Sequence, residues 1–361
     1  MVYFYKMGCN MKSKNTIIRA ILVFLFSIGV IFFIKSKIGA DDAFDVIKKI
    51  APVFLAACIL TMFMFFLLEA ISYKYLLKIQ GYDVSFKRCF GYTFTDYFFS
   101  MISPGGSLGQ PLQYHTMRTD NIDSLTTINS LLSFNWIYHL SMVIIFFVAM
   151  IFGLVGRIAS ISEFKYLVIY GIACQLILVI GIGFLMFNSD LAAGVIKFFN
   201  TIFSKFKILR RFSKSEEDIA KTIEEHKNFG KFLINNKKVF AKLLCISIPM
   251  LLFSFAIPAI LYKSFGLNSF NFMTLVLIQA VVTISFESVH IPGGVGVIEG
   301  SMMLVYSSFM PKSLAFSIMA INRFVTFYLA VPFAGLYFLL VKTNRKNYQK
   351  NNSLIKLNQE Q

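Results

Sequence analysis

Residues 124–156 are SLTTINSLLSFNWIYHLSMVIIFFVAMIFGLVG and contain no Asp, Glu, Lys or Arg. Charged residues are absent in the same way from residues 50–68, 166–189, 243–262 and 264–286. A helix needs about 17–25 residues to cross the roughly 30 Å hydrocarbon core of a membrane, and each stretch is long enough. The stretches lack the period-two alternation of barrel strands. The sequence therefore predicts an all-α integral membrane protein.

The composition of the whole chain fits the same class. Of its 361 residues 57% are hydrophobic, 15% are charged and 42 are Phe. A soluble domain has about one quarter charged residues and could not bury this much apolar surface. The apolar runs predict about seven or eight transmembrane helices, with spans near residues 16–34, 50–73, 126–155, 166–188, 240–262, 271–290 and 313–341.

The formal net charge of +17 reflects basic residues at the ends of the apolar runs. This placement is an orientation signal, because Lys and Arg are enriched on the cytoplasmic side of membrane proteins. We therefore expect one multi-pass membrane domain over residues 1–342, with a basic cytoplasmic helical loop at about 197–239. Residues 343–361 are expected to form a basic, disordered cytoplasmic tail. Binding of anionic lipid headgroups is an alternative role for both segments.

The tripeptide Pro-Gly-Gly, whose residues interrupt helices, occurs in both halves of the chain. Residues 103–110 are SPGGSLGQ, and residues 291–300 are IPGGVGVIEG. Each lies within an apolar stretch, at 88–117 and 292–311, whose halves are too short to span a membrane. Proline ends a helix, and glycine permits backbone conformations closed to other residues. The pattern predicts two broken or re-entrant helices and is typical of an internal repeat. The alternative is two ordinary turns at a membrane face.

Ionisable side chains inside lipid-spanning segments are costly and usually face a cavity or a partner. Seven candidates for such a position are Glu69, Asp96, His139, Glu287, His290, Glu299 and Arg323. Arg323 could pair with Glu287 or Glu299. One hypothesis is that Arg323 and the freed backbone amides bind an anionic phosphate. The other is a structural salt bridge that joins two helices.

We expect the two Pro-Gly-Gly segments and the polar side chains near them to contact a substrate. The candidate binding residues are Gly105, Gly106, Gly109, Gln110, Gln113, Glu287, His290, Pro292, Gly293, Gly294, Gly296, Glu299 and Arg323. Glu287 and His290 have the Glu-x-x-His spacing of carboxylate metal sites, but the second such motif is missing. The chain also has no P-loop, no Gly-x-Ser-x-Gly and no His-Glu-x-x-His motif. We therefore expect no metal, no cofactor, no catalytic residue and no ATP-driven pumping by this chain.

Several of these motifs resemble the membrane region of the lysylphosphatidylglycerol synthase family. They are SPGGSLGQPLQ at residues 103–113, MRTD at 117–120, and PGGVGVIEG at 292–300 with Asn322-Arg323 further on. The resemblance covers roughly residues 15–341. Gln110 and Gln113 stand where the family more often has Asp and Arg, so headgroup specificity does not carry over.

The resemblance implies a flippase-like protein that handles or translocates a phospholipid across a bacterial cell membrane. Lysyl-phosphatidylglycerol is one candidate substrate. The alternative is a phosphatidylglycerol lysyltransferase, which transfers lysine from lysyl-tRNA to phosphatidylglycerol and gives resistance to cationic peptides. That activity would need a separate catalytic domain, and it alone would make tRNA a partner. A non-transporting scaffold is the third interpretation.

Overall fold

The computed structural model describes residues 13–39, 42–161, 164–205, 216–289 and 291–340, and these residues contain no strand. The prediction of an all-α membrane protein is confirmed. The helices are α1 (Ser13–Ile38), α2 (Ala43–Lys48), α3 (Pro52–Ile79), α4 (Phe86–Met101), α5 (Gly109–Thr119), α6 (Ser124–Ile151), α7 (Leu154–Ala159), α8 (Phe164–Phe187), α9 (Ser189–Lys205), α10 (Glu216–Asn235), α11 (Lys237–Ser264), α12 (Phe272–Glu287), α13 (Val297–Tyr306) and α14 (Lys312–Leu340).

Five of the described helices, α3, α6, α8, α11 and α14, are long and apolar enough to cross a membrane. Helix α1 has 26 residues and exposes large apolar side chains such as Leu25 and Phe26. The segment expected to span at residues 271–290 is shorter than predicted. Helix α12 has 16 residues, or about 24 Å, because the chain leaves the helix before the second Pro-Gly-Gly.

The chain forms a helical hairpin around each Pro-Gly-Gly. The first matches the broken segment predicted at 88–117, whereas the second takes as its first arm the helix predicted to span at 271–290. In the first hairpin, α4 and α5 are joined by a 3-10 turn at Pro104–Gly106; in the second, α12 and α13 are joined by one at Pro292–Gly294. The helices of each hairpin have 16 residues before the turn and 11 or 10 after it. None can cross about 30 Å of hydrocarbon alone. Each hairpin therefore enters and returns on one side.

In each hairpin, a tyrosine hydroxyl links the two helices at a point distant from the turn. The hydroxyl of Tyr92 donates a hydrogen bond to Asp120 Oδ2 at 2.6 Å in the first hairpin. In the second, the hydroxyl of Tyr306 donates to Gln279 Oε1, also at 2.6 Å. Each bond joins the end of the shorter helix to the middle of the longer one, so the shorter arm folds back antiparallel along the longer arm.

The amphipathic helix α10 docks on the membrane helices. His226 is buried and bonds through its two ring nitrogens to Asn129 Oδ1 at 2.6 Å and to the carbonyl oxygen of Leu185 at 3.0 Å. At Gly230 the backbone of α10 approaches α8 so closely that an added Cβ would lie 2.3 Å from the Met186 carbonyl oxygen. Part of the predicted loop, 206–215, and the predicted tail lie outside the described residues.

Close backbone contact between α8 and α12 depends on Gly171. A Cβ at this position would lie 2.2 Å from the carbonyl oxygen of Ile284, and the backbone cannot yield as a side chain would. We expect Gly171→Ala to destabilise the protein by about 1–3 kcal/mol through overpacking. Gly181→Ala on the same helix is the matched control, because nothing lies within 4 Å of its added Cβ. Thermal unfolding in detergent measures both; equal midpoints would contradict the close approach.

Candidate functional site

The glycines of both turns adopt backbone conformations that other residues rarely occupy. The φ angles are 58° and 66° at Gly105 and Gly106, and 60° and 62° at Gly293 and Gly294. Gly296, which precedes α13, has a φ angle of 89°. L-residues with a Cβ are strained at such angles. The repeated Pro-Gly-Gly is therefore required by the backbone path of each hairpin tip.

The two hairpin tips contact each other. The turn at Pro104–Gly106 lies against the turn at Pro292–Gly294. Gly293 is buried between the first hairpin and α14: an added Cβ would lie 3.2 Å from the Met101 carbonyl oxygen and 2.7 Å from the Phe327 ring. The structure therefore favours a paired site over two independent turns.

Arg323 and Glu299 form a buried ion pair beside the second tip. Arg323 Nε donates to Glu299 Oε1 at 2.7 Å, and the side chains are 2% and 0% exposed. Arg323 Nη2 donates to the Gly293 carbonyl oxygen at 3.0 Å, and the Gly296 amide donates to Glu299 Oε2 at 2.7 Å. The guanidinium also lies 4.7 Å from the centre of the Phe327 ring. These contacts support the salt-bridge hypothesis, and a phosphate-binding role for Arg323 stays a prediction.

Glu287, the other carboxylate considered for Arg323, is half-buried and hydrogen-bonded by uncharged groups. Its Oε1 accepts from the Tyr138 hydroxyl at 2.6 Å, and its Oε2 accepts from Gln175 Nε2 at 2.7 Å. His139 Nδ1 lies 2.7 Å from Gln175 Oε1. This network joins α6, α8 and α12 within their apolar lengths.

The remaining predicted residues divide between exposed and buried positions. Gln110 is exposed and donates through Nε2 to Asn135 Oδ1 at 2.7 Å. Gln113 is fully buried and accepts a hydrogen bond from the Tyr73 hydroxyl at 3.3 Å. His290 lies outside the described residues.

Sequence reasoning missed the uncharged polar members of this site. They are Tyr73, Asn135, Tyr138 and Gln175. Gln175 gave a usable signal, because it is an amide inside the charge-free stretch 166–189 and is fully buried. A polar group there needs a hydrogen-bonding partner within the protein.

The site contains more acidic than basic side chains. Within the ranges that the structure describes, Glu299 has its ion pair with Arg323, whereas Glu69, Asp96 and Glu287 have none. Those ranges also contain no group of three or more His, Cys, Asp or Glu side chains suited to a metal. Buried carboxylates without a counter-charge are costly and point to a ligand or a proton.

These features define a helical, multi-pass membrane protein in which the tips of two helical hairpins meet near several acidic side chains. The family described as the lysylphosphatidylglycerol synthase TM region matches residues 19–334, and the chain belongs to this family. The family predicted from the motifs is thereby confirmed.

Two curated relatives extend over nearly the same length. A UPF0104 membrane protein of Archaeoglobus fulgidus is 23% identical over 324 residues, covering 86% of this chain and 94% of the relative. A UPF0104 membrane protein of Methanocaldococcus jannaschii is 22% identical over 341 residues, covering 92% and 97%. Both organisms are archaea, so the similarity does not by itself assign a bacterial source.

The ion pair generates a prediction about stability. We expect Arg323→Gln to cost about 3–5 kcal/mol, because it leaves the Glu299 carboxylate buried without its partner. Adding Glu299→Gln should restore part of that loss, giving a clear coupling energy in a double-mutant cycle. Chemical or thermal unfolding of the purified wild type, the two single variants and the double variant measures these differences in stability.

Lys48→Gln is the control for this cycle, because it removes an ion pair with Asp45 whose side chains are 76% and 70% exposed. We expect no measurable effect from an exposed pair. Additive single-variant effects at Arg323 and Glu299 would contradict a structural role for their contact.

Proposed function

We propose that this protein is a flippase-like transporter that moves a phospholipid headgroup past the joined hairpin tips. The observation that carries the proposal is Glu287: a half-buried carboxylate inside the apolar bundle, held by Tyr138 and Gln175 rather than by a cation. Irregular backbone at membrane depth is tolerated where it lines a polar cavity. In transporters such broken helices are typical of binding sites.

The charge balance favours a headgroup with a positive group. Carboxylates attract an amine far more strongly inside a low-dielectric bundle than in water, and they repel a bare phosphate. The ring of Tyr138, beside Glu287, offers a further favourable contact for an ammonium group. Lysyl-phosphatidylglycerol has such amines and is the candidate that fits the family, although other amine-bearing phospholipids share this chemistry.

The acyl chains would stay in the bilayer during transfer. Large apolar side chains such as Phe147 on α6 and Ile177 on α8 are exposed on the outer surface of the bundle. This surface is suited to lipid tails, whereas the hydrogen-bonded pair of Gln110 and Asn135 offers uncharged polar contacts for a headgroup. The apolar outer surface and the polar pair together support transport of an amphipathic lipid.

We place α10 on the cytoplasmic side of a bacterial cell membrane in this proposal. The support is the excess of Lys and Arg in residues 197–242, which is the usual cytoplasmic signature. Export of a lysyl lipid from that side would lower the negative surface charge and thereby give resistance to cationic peptides.

The transport proposal predicts a specific loss in Glu287→Gln. We expect headgroup-resolved flipping of lysyl-phosphatidylglycerol in liposomes to fall about tenfold or more, because a charged hydrogen-bonding partner of the amine is lost. Phosphatidylglycerol lacks the amine, so its flipping should be slow both with the wild type and with the variant.

The matched control is Glu217→Gln, the same substitution at an exposed position of α10. This variant should flip the lipid at the wild-type rate. Equal flipping by Glu287→Gln and wild type, with both folded by size-exclusion chromatography, would overturn the role of this carboxylate. Equal rates for both lipids would overturn the preference for an amine.

Lysyl transfer is the second candidate function, which the description of the matching family as a lysylphosphatidylglycerol synthase TM region suggests. Helices α9 and α10 have 17 and 20 residues, too few for the core of a tRNA-dependent transferase domain. We expect the purified protein to form no lysyl lipid from lysyl-tRNA and phosphatidylglycerol liposomes. Mass spectrometry of the extracted lipid measures this, and product formation would favour the transferase.

A further inference from the structure

A second pair of carboxyl groups lies between α3 and the first hairpin. Glu69 on α3 is 5% exposed, and its Oε1 makes no hydrogen bond. Asp96 on α4 interacts electrostatically with Glu69. A hydrogen bond from Ser100 Oγ, at the long distance of 3.4 Å, reaches Asp96 Oδ1. Asp96 is half-buried, and the ring centres of Phe66 on α3 and Tyr97 on α4 lie 4.8 Å apart, so this part of α3 packs directly against this part of α4. Neither acid has an ion-pair partner in the portion of the chain that the structure describes.

Two further buried side chains near this pair each have a polar atom without a hydrogen bond of good geometry. Thr93 is fully buried beside Glu69, yet its hydroxyl makes no hydrogen bond of good geometry. Gln113 is fully buried, and its Nε2 has no partner, while its Oε1 accepts from Tyr73. Tyr73 in turn interacts with both acids. Buried polar groups are nearly always satisfied in proteins, so this concentration of unsatisfied ones indicates a ligand.

We propose that Glu69, Asp96 and Thr93 bind one exchangeable monovalent cation, a proton or Na⁺, inside the membrane domain. Two ionised carboxylates in a low-dielectric interior repel each other, and one positive charge between them removes most of that cost. A proton would be shared as a hydrogen bond between the acids. Sodium would use their oxygens and the hydroxyl oxygen of Thr93.

Among the residues that the structure describes, no Lys, Arg or His forms an ion pair with the two acids. The titratable groups that interact with them are the phenols of Tyr73, Tyr97 and Tyr138. Arg323 reaches Tyr97 electrostatically but is ion-paired elsewhere. Helix α11, which packs along α3, contributes no Asp, Glu, Lys, Arg or His between residues 243 and 262. The compensating charge must therefore be a mobile one.

The cation site is joined to the first hairpin tip. An added Cβ at Gly109, the start of α5, would lie 2.4 Å from Asp96 Oδ1 and 1.9 Å from Ser100 Oγ. The Ser100 hydroxyl is also 3.4 Å from the Gly106 carbonyl oxygen in the Pro-Gly-Gly turn. Occupancy of the site thus acts directly on the tip. Cation binding itself does not depend on the proposed function. Only the further consequence, that the bound ion drives movement of the headgroup, rests on the proposed function.

Thermal unfolding of the full-length protein in detergent tests cation binding without any transport assay. Midpoints are measured from pH 5 to pH 9 in KCl, and again at each pH with NaCl in place of KCl. For a proton site we expect the wild-type midpoint to fall by about 5 °C as the pH rises, because loss of the shared proton leaves two buried like charges. For a Na⁺ site we expect NaCl to raise the midpoint at alkaline pH.

The variants assign the response to this pair. Glu69→Gln and Asp96→Asn each remove one charge and should abolish the pH or Na⁺ response; either one suffices if the other fails to fold. Glu287→Gln changes a half-buried carboxyl group with two hydrogen-bond donors; it is the matched control and should keep the response. A wild-type midpoint insensitive to both pH and Na⁺, or a response that persists in Glu69→Gln or Asp96→Asn, would overturn the proposal.

Discussion

The fold depends on one constraint: a backbone that leaves helical geometry inside a membrane must have its polar groups satisfied by protein. Each Pro-Gly-Gly turn breaks a helix, and lipid offers no hydrogen bonds to the freed groups. The two turns solve this together by lying against each other. Around the second turn, Arg323 binds the Gly293 carbonyl oxygen and Glu299 binds the Gly296 amide, so the ion pair closes the break from both sides.

The same constraint explains why ionisable groups collect where they do. An arginine that bonds to a buried carbonyl needs a carboxylate to balance it, and Glu299 fills that need completely. Glu69, Asp96 and Glu287 form no ion pair with any described residue, which leaves them for the proposed ligands. Glu299 therefore stabilises the structure, whereas the other three acids are the ones proposed to bind ligands.

The sequence was sufficient for the features that depend on local composition. Charge-free stretches gave the membrane class, and Pro-Gly-Gly gave both broken helices. It could not show that residues 271–290 end in a hairpin, because an apolar run of 16 helical residues followed by a turn resembles a short span. Nor could spacing select the partner of Arg323 or join Tyr138 to Glu287, which are 149 residues apart. Such contacts arise from helix packing, which local periodicity does not encode.

The proposed transport requires a water-accessible polar chamber beside the joined hairpins, and cysteine accessibility tests this requirement most directly. In a cysteine-free background reconstituted in liposomes, Asn135→Cys places a thiol in the polar network of α6, and Phe147→Cys places one on the lipid-facing surface of the same helix. A charged, water-soluble thiol reagent should modify the first rapidly and the second hardly at all. Protection of both thiols, or equal modification of both, would contradict the account.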